Sequence, residues 1–159
     1  MTAWQDRVDA VWQDGTLTDA ERIARVDALA AERSAVDADA LFERAGARDS
    51  AGEEAAAEPL YRAALAAGLS GSRRTQALIQ LASTLRNLGR PEEALEVLRE
   101  ADDMDDGSLA PSIAAFRALA LFSAGEDAAA VRTALRALAP TLPRYARAVA
   151  AYADELDRP

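Results

Sequence analysis

Three glycines set the frame of this chain: Gly52, Gly89 and Gly125 follow one another at spacings of 37 and 36 residues. Small residues keep pace with them. Ala45, Ala82 and Ala118 lie seven before each glycine, Ala57, Ala94 and Ala130 five after, and Ala64, Ala101 and Ala137 twelve after. About a quarter of the chain is alanine, so larger residues must carry the test. Leu41 and Leu78 match at eleven before the glycine, and Tyr61 and Leu98 at nine after, where the third copy has Ala134. A period of this length is the mark of stacked supersecondary units, none of which buries its apolar face alone.

Each unit reads as two helices. The first runs over roughly 37–51, 72–88 and 108–124 and ends near glycine. The second runs over roughly 53–67, 91–101 and 126–139 and opens with acids, which suits the positive end of the helix dipole. Pro91 stands in a first turn, where a missing amide costs little. Pro59 falls well inside its helix and is expected to kink it or delay its start. Before the repeats, Thr2 with Gln5 and Thr18 with Glu21 fit capping boxes that open two short helices broken at Gly15. Trp4, Val8, Val11 and Trp12 share a face of the first helix, and Ile23, Val26 and Ala30 line the second. After the repeats, Pro143 is expected to open a last helix with Tyr145, Val149, Tyr152 and Leu156 as its buried stripe and Arg144, Arg147, Asp154 and Asp157 facing water. The fold class is all-α. A helical hairpin spans 1–36, three repeats span 37–71, 72–107 and 108–140, and a capping helix spans 141–159, all in one folded domain.

Residues 38–139 resemble three tetratricopeptide repeats. The middle copy carries the likeness best, with Leu78, Leu81, Ala82, Leu85, Gly89, Ala94, Leu98 and Ala101 on the pattern's large and small positions. The chain as a whole, particularly residues 137–156, resembles an uncharacterised bacterial subfamily of such proteins. The resemblance implies a right-handed α-α superhelix of helical hairpins whose concave face binds peptides or partner proteins. Arg44, Arg48 and Arg117 depart from the pattern by standing where it has large apolar residues. No repeat has the family's tryptophan, and the spacing is two or three residues longer than usual.

Composition narrows the chemistry. Cysteine, histidine and lysine are all absent, which removes disulfides, thiolate and imidazole metal ligands, the commonest general base and the Schiff-base amine. No cofactor or metal site is expected. The segment 14–21 has the glycine, aliphatic and glutamate of half a calcium loop, but Ala10 and Trp12 stand where its first oxygens are needed, so it reads as a turn and a cap. Asp102, Asp103, Asp105 and Asp106 precede Gly107, yet Ile113 holds the last ligand position, so this run reads as a solvated acidic loop. A net charge of −9 argues against nucleic-acid binding. No apolar run is long enough to span a membrane, and no basic-then-apolar leader opens the chain, so a cytoplasmic protein is expected. Arg44 and Arg48, four apart on one helix face, either form an anion site or pair with Asp27, Glu32 or Asp37; pairing is favoured because a buried arginine needs a partner.

Under the resemblance, the first helix of each repeat lines the concave side, with Phe42, Ile79, Leu119 and Phe122 as an apolar floor and Ser83, Arg86 and Asn87 as polar contacts. Arg86 and Asn87 suit a peptide with an acidic residue or a free C-terminus; alternatively, Arg86 pairs with a glutamate of a neighbouring helix. The expected function is a non-catalytic adaptor or scaffold. A homodimer that uses the same apolar surface, or the last helix's stripe, is the second reading. A carboxylate enzyme is a distant third, because Glu53 with Glu54 and Glu92 with Glu93 splay around their helices instead of converging.

Overall fold

The computed structural model describes residues 3–156. Thr2 and its capping box, and Asp157, lie outside them. Among the described residues the chain is all helix: α1 (Ala3–Gln13), α2 (Asp19–Ala30), α3 (Ala38–Ser50), α4 (Glu54–Ala66), α5 (Gly71–Asn87), α6 (Pro91–Met104), α7 (Ala110–Ser123), α8 (Asp127–Leu138), a single 3-10 turn (Ala139–Thr141) and α9 (Ala146–Glu155). Each successive pair within α1 to α4 packs together, as does each within α6 to α9. The chain forms two compact units, Met1–Ala77 and Leu78–Pro159.

The glycine period is a period of helix endings. Gly52, Gly89 and Gly125 all have positive φ, between 75° and 81°, a conformation that costs a side chain with a Cβ dearly. The amide after each one reaches back to close the helix: Glu53 N–H to Arg48 O, Arg90 N–H to Leu85 O and Glu126 N–H to Leu121 O, each at 2.9 Å. These are Schellman endings, in which the left-handed residue lets the chain reverse while satisfying a terminal carbonyl.

Burial follows the same register. Leu41, Leu78, Tyr61 and Leu98 are buried, and so are the alanines seven before, five after and twelve after the glycine, Ala137 alone being partly exposed. Ala94 has no exposed surface. Replacing it by leucine is expected to overfill the packing and destabilise the protein by about 1–3 kcal/mol, read as a lower urea midpoint. Wild-type stability would contradict the register.

In the first unit, Trp4, Val8, Ala30 and Ala40 form one buried cluster and Val11, Val26 and Ala47 another, with Trp12 against both. Thr18 and Glu21 make the expected capping box at the start of α2. Asp14 turns the chain by accepting from the amide and hydroxyl of Thr16. α2 ends at Ala30. α4 begins at Glu54 with Pro59 inside it, so the proline does not delay its start. Trp4 and Val8 precede Gly15 at the distances by which Leu41 and Ala45 precede Gly52, and Gly15 itself stands 37 residues before Gly52. The first helix of the N-terminal hairpin thus keeps the register of the repeats.

In the second unit, α6 runs on to Met104. The acidic segment after it is a turn: Asp105 accepts from the amides of Gly107 and Leu109, and Asp106 from that of Ser108. Arg117, out of pattern by sequence, is partly exposed, donates to Leu98 O (3.4 Å) and pairs with Asp102 (3.2 Å). The last helix departs from expectation. It starts at Ala146, three residues after Pro143, because Tyr145 takes a left-handed conformation (φ 67°) at its N-cap. Its expected buried stripe is turned out: Tyr145, Tyr152 and Leu156 are exposed, Val149 is half-buried, and Ala153 is the fully buried residue. α9 packs on α8 and the 3-10 turn, and an alanine permits the closer approach to the alanine-rich α8. Asp154 is exposed as expected and also pairs with Arg136 of α8 (2.6 Å).

Candidate functional site

Six of the seven residues singled out as a binding surface belong to the second unit. Ile79 and Ser83 sit on α5, and Ile79 is buried, so it does not form part of an open floor. Ser83 is half-buried and Asn87 exposed. Arg86 Nη2 donates to Asn87 Oδ1 at 2.8 Å, whereas its Nε is buried without a hydrogen-bond partner. The Nε atoms of Arg22 and Arg73 are buried in the same way, so any acceptor from outside would meet the terminal nitrogens of Arg86. On α7, Leu119 is 46% and Phe122 66% exposed. They lie three residues apart and therefore share one side of the helix.

The seventh residue, Phe42, lies in the first unit and is covered. The Arg73 guanidinium stacks 5.0 Å above its ring, and Tyr61 approaches it from another side. Above Phe42 is a polar cluster not foreseen from sequence. Glu43 is only 6% exposed; it accepts from the Trp12 indole (2.8 Å) and from Gln5 (3.3 Å) and pairs closely with Arg73. Arg73 also donates to Gln5 Oε1. Its Nε is 3.4 Å from Asp39 but misaligned for a hydrogen bond, so that contact is ionic only. Side chains of α1, α3 and α5 are thereby tied together. Trp12 also packs over Gly46, where a Cβ would lie 3.4 Å from the indole ring, at the edge of ordinary contact. The Tyr61 hydroxyl donates to Asp49 (3.2 Å); burial, with that carboxylate beside it, pushes its pKa well above the usual phenol value. Apart from the buried Arg73 Nε, these polar groups are paired with one another, and together they cover Phe42. A sequence signal existed: the Trp12 indole, once buried, needs an acceptor.

Arg44 and Arg48 resolve as ion pairs. Both donate to Asp27 of α2, Arg44 Nε at 2.9 Å and Arg48 Nη2 at 2.8 Å. Glu32 pairs instead with Arg7, and Asp37 with Arg33. Burial raises the Asp27 pKa, but the hydrogen bonds from Arg48 and Arg44 outweigh it and hold the carboxyl below its ordinary value. Because the folded value is the lower one, the stabilisation is complete above the unfolded pKa of about 3.9 and is lost as pH falls through the folded value. Asp27→Asn is expected to cost about 1 kcal/mol at neutral pH, a modest figure because the carboxylate is one-third exposed. The gap from wild type should close in urea titrations carried below pH 4.

A family model described as Tetratrico peptide repeat matches residues 38–156. The chain belongs to the tetratricopeptide repeat family. Tetratricopeptide repeats serve generally as protein–protein interaction modules and are generally not catalytic. The match begins at the first residue of α3 and leaves α1 and α2 outside. No curated protein matches the chain. Among the described residues, no helix is long and apolar enough to cross a membrane, and no group of three or more acidic side chains is arranged to hold a metal ion.

Proposed function

We propose that this tetratricopeptide repeat protein is a non-catalytic, cytoplasmic adaptor that binds a peptide or partner protein along the first helices of its repeats. The exposure of Phe122 beside Leu119 carries the reading, since a large aromatic left open next to a leucine is a ready anchor for a partner. Arg86 and Asn87 supply the polar contact, the charge and fork geometry of the Arg86 guanidinium suiting a segment with an acidic residue or a free C-terminus. Ile79 takes part as packed support beneath the surface, and Ser83 lies along it.

Affinity capture from the native cell with wild type, Arg86→Ala and Phe122→Glu side by side tests the idea, followed by titration of the captured protein with purified components. Both variants are expected to keep the wild-type melting temperature and to bind at least about tenfold more weakly. Undiminished binding by both would remove the proposed surface. The outward stripe of Tyr145, Tyr152 and Leu156 favours a second reading, a homodimer through α9. Light scattering at two concentrations separates the two readings.

A further inference from the structure

The opposite side of α7 from Leu119 and Phe122 borders a second feature, a cleft of about 690 Å3 between α7 and α8. Its α7 wall is Ala110, Ala114, Arg117 and Leu121, a stripe at i, i+4, i+7 and i+11 that extends about 16 Å along the helix. Ala129, Arg132 and Arg136 belong to the α8 wall. The cleft is therefore an elongated trough with alanines on both sides, Arg117 on one rim and two arginines at i, i+4 on the other.

Its charge runs against that of the molecule. The chain carries 27 acids against 18 arginines, yet three arginines and no acid line the trough. Asp102 pairs with Arg117 and Asp154 with Arg136 from outside the lining, and those carboxylates are 51% and 57% exposed. The Arg136–Asp154 pair is exposed on both sides and therefore weak, so a partner's carboxylate can share or replace it, whereas Arg117, 27% exposed and also bonded to Leu98 O, contributes fixed positive charge. Alanine walls leave room for larger apolar side chains, and a trough that follows two helices suits helix-in-groove recognition with anchors at helical spacing. A simple anion would use the arginines and leave the apolar walls wet. The last helix of a second copy is mixed in charge, with Arg147 as well as Asp154 and Glu155, and so matches three arginines less well than an acidic helix does.

We propose that the α7–α8 cleft docks an acidic amphipathic helix of a partner protein, with its apolar side chains between the alanine walls and its carboxylates on Arg117, Arg132 and Arg136. This surface is separate from the one proposed above, so α7 presents one binding face on each side.

The test is fluorescence anisotropy of the full chain with a labelled synthetic peptide of about 16 residues, leucines at i, i+4, i+7 and i+11 flanked by glutamates. Binding is expected to saturate, to weaken with added salt, and to fall at least about tenfold in the Arg132→Glu, Arg136→Glu double variant. Ala114→Phe, which fills the trough without changing charge, is expected to give the same loss with unchanged helical circular dichroism, and Arg86→Ala none. The proposal is overturned if the peptide does not bind, if a lysine-for-glutamate peptide binds equally well, or if the charge-reversed variant retains wild-type affinity. It is also overturned if inorganic phosphate displaces the peptide while Ala114→Phe has no effect, or if Ala114→Phe dissolves a dimer of the chain seen by light scattering.

Discussion

Glu43→Ala is expected to destabilise the protein by about 3 kcal/mol. The carboxylate is almost wholly buried and binds Trp12, Gln5 and Arg73 at once. Removing one member of a buried ion pair leaves the other charged and uncompensated, which typically costs 3–5 kcal/mol. Arg73 keeps some exposure and its contact with Asp39, which places the estimate at the low end. The Trp12 indole also loses its acceptor. Urea unfolding followed by tryptophan fluorescence reads both effects, the midpoint reporting the loss and the native emission shifting toward that of a wetter indole. Glu43→Gln keeps an acceptor for Trp12 but removes the charge, so it should fall between the two. A Glu43→Ala midpoint equal to that of wild type would mean that the cluster contributes nothing net.

Leu98→Ala should cost a similar amount, about 3 kcal/mol, for a different reason. Leu98 has no exposed surface and lies on α6 between the fully buried Ala94 and Ala101. Deleting a buried leucine forfeits its transfer free energy and leaves a cavity that its neighbours fill only in part, with measured costs of roughly 2–5 kcal/mol. Those neighbours include alanines, which cannot swing into the space. Thermal or urea melts of the purified variant provide the measurement. A loss below about 1 kcal/mol would show that the site collapses onto the cavity and that the middle repeat is less tightly packed than its burial implies.

The helices and their order were legible because the signals were local. A glycine with positive φ every 36 or 37 residues, a proline at a first turn, and alanines and leucines at fixed offsets all act within one hairpin. The N-terminal hairpin shows where that reading stops. Its first helix holds the register through Trp4 and Val8, but twelve residues after Gly15, where each repeat has alanine, it has Asp27. Arg44 and Arg48 break the pattern in the first repeat. Together the three departures make one ion-pair cluster. Sequence reasoning reached the pairing by requiring a partner for each arginine, and it included Asp27 among three acids without being able to choose among them.

The candidate surface was legible in the same partial way. Helical periodicity groups residues on a face but leaves open whether a neighbouring helix covers that face. Leu119 and Phe122 stay open, whereas Phe42 lies under Arg73 and Ile79 is packed away. The α9 stripe failed for a related reason: the apolar side chains are spaced to be buried together, yet the left-handed Tyr145 starts the helix late and Ala153 is the side chain that packs.

From sequence came the all-helical class, the repeat length, the residues that close each helix and the family likeness. Each of these rests on backbone conformation and side-chain size over a few turns of one chain segment. Packing settled which acid holds Arg44 and Arg48, that Glu43 and Arg73 seal Phe42, which side of α9 is buried, and that three arginines converge on a trough in an acidic protein. Those outcomes depend on how residues far apart in the chain meet across helices, and burial and pairing energies, unlike helix propensity, are set by which neighbours arrive.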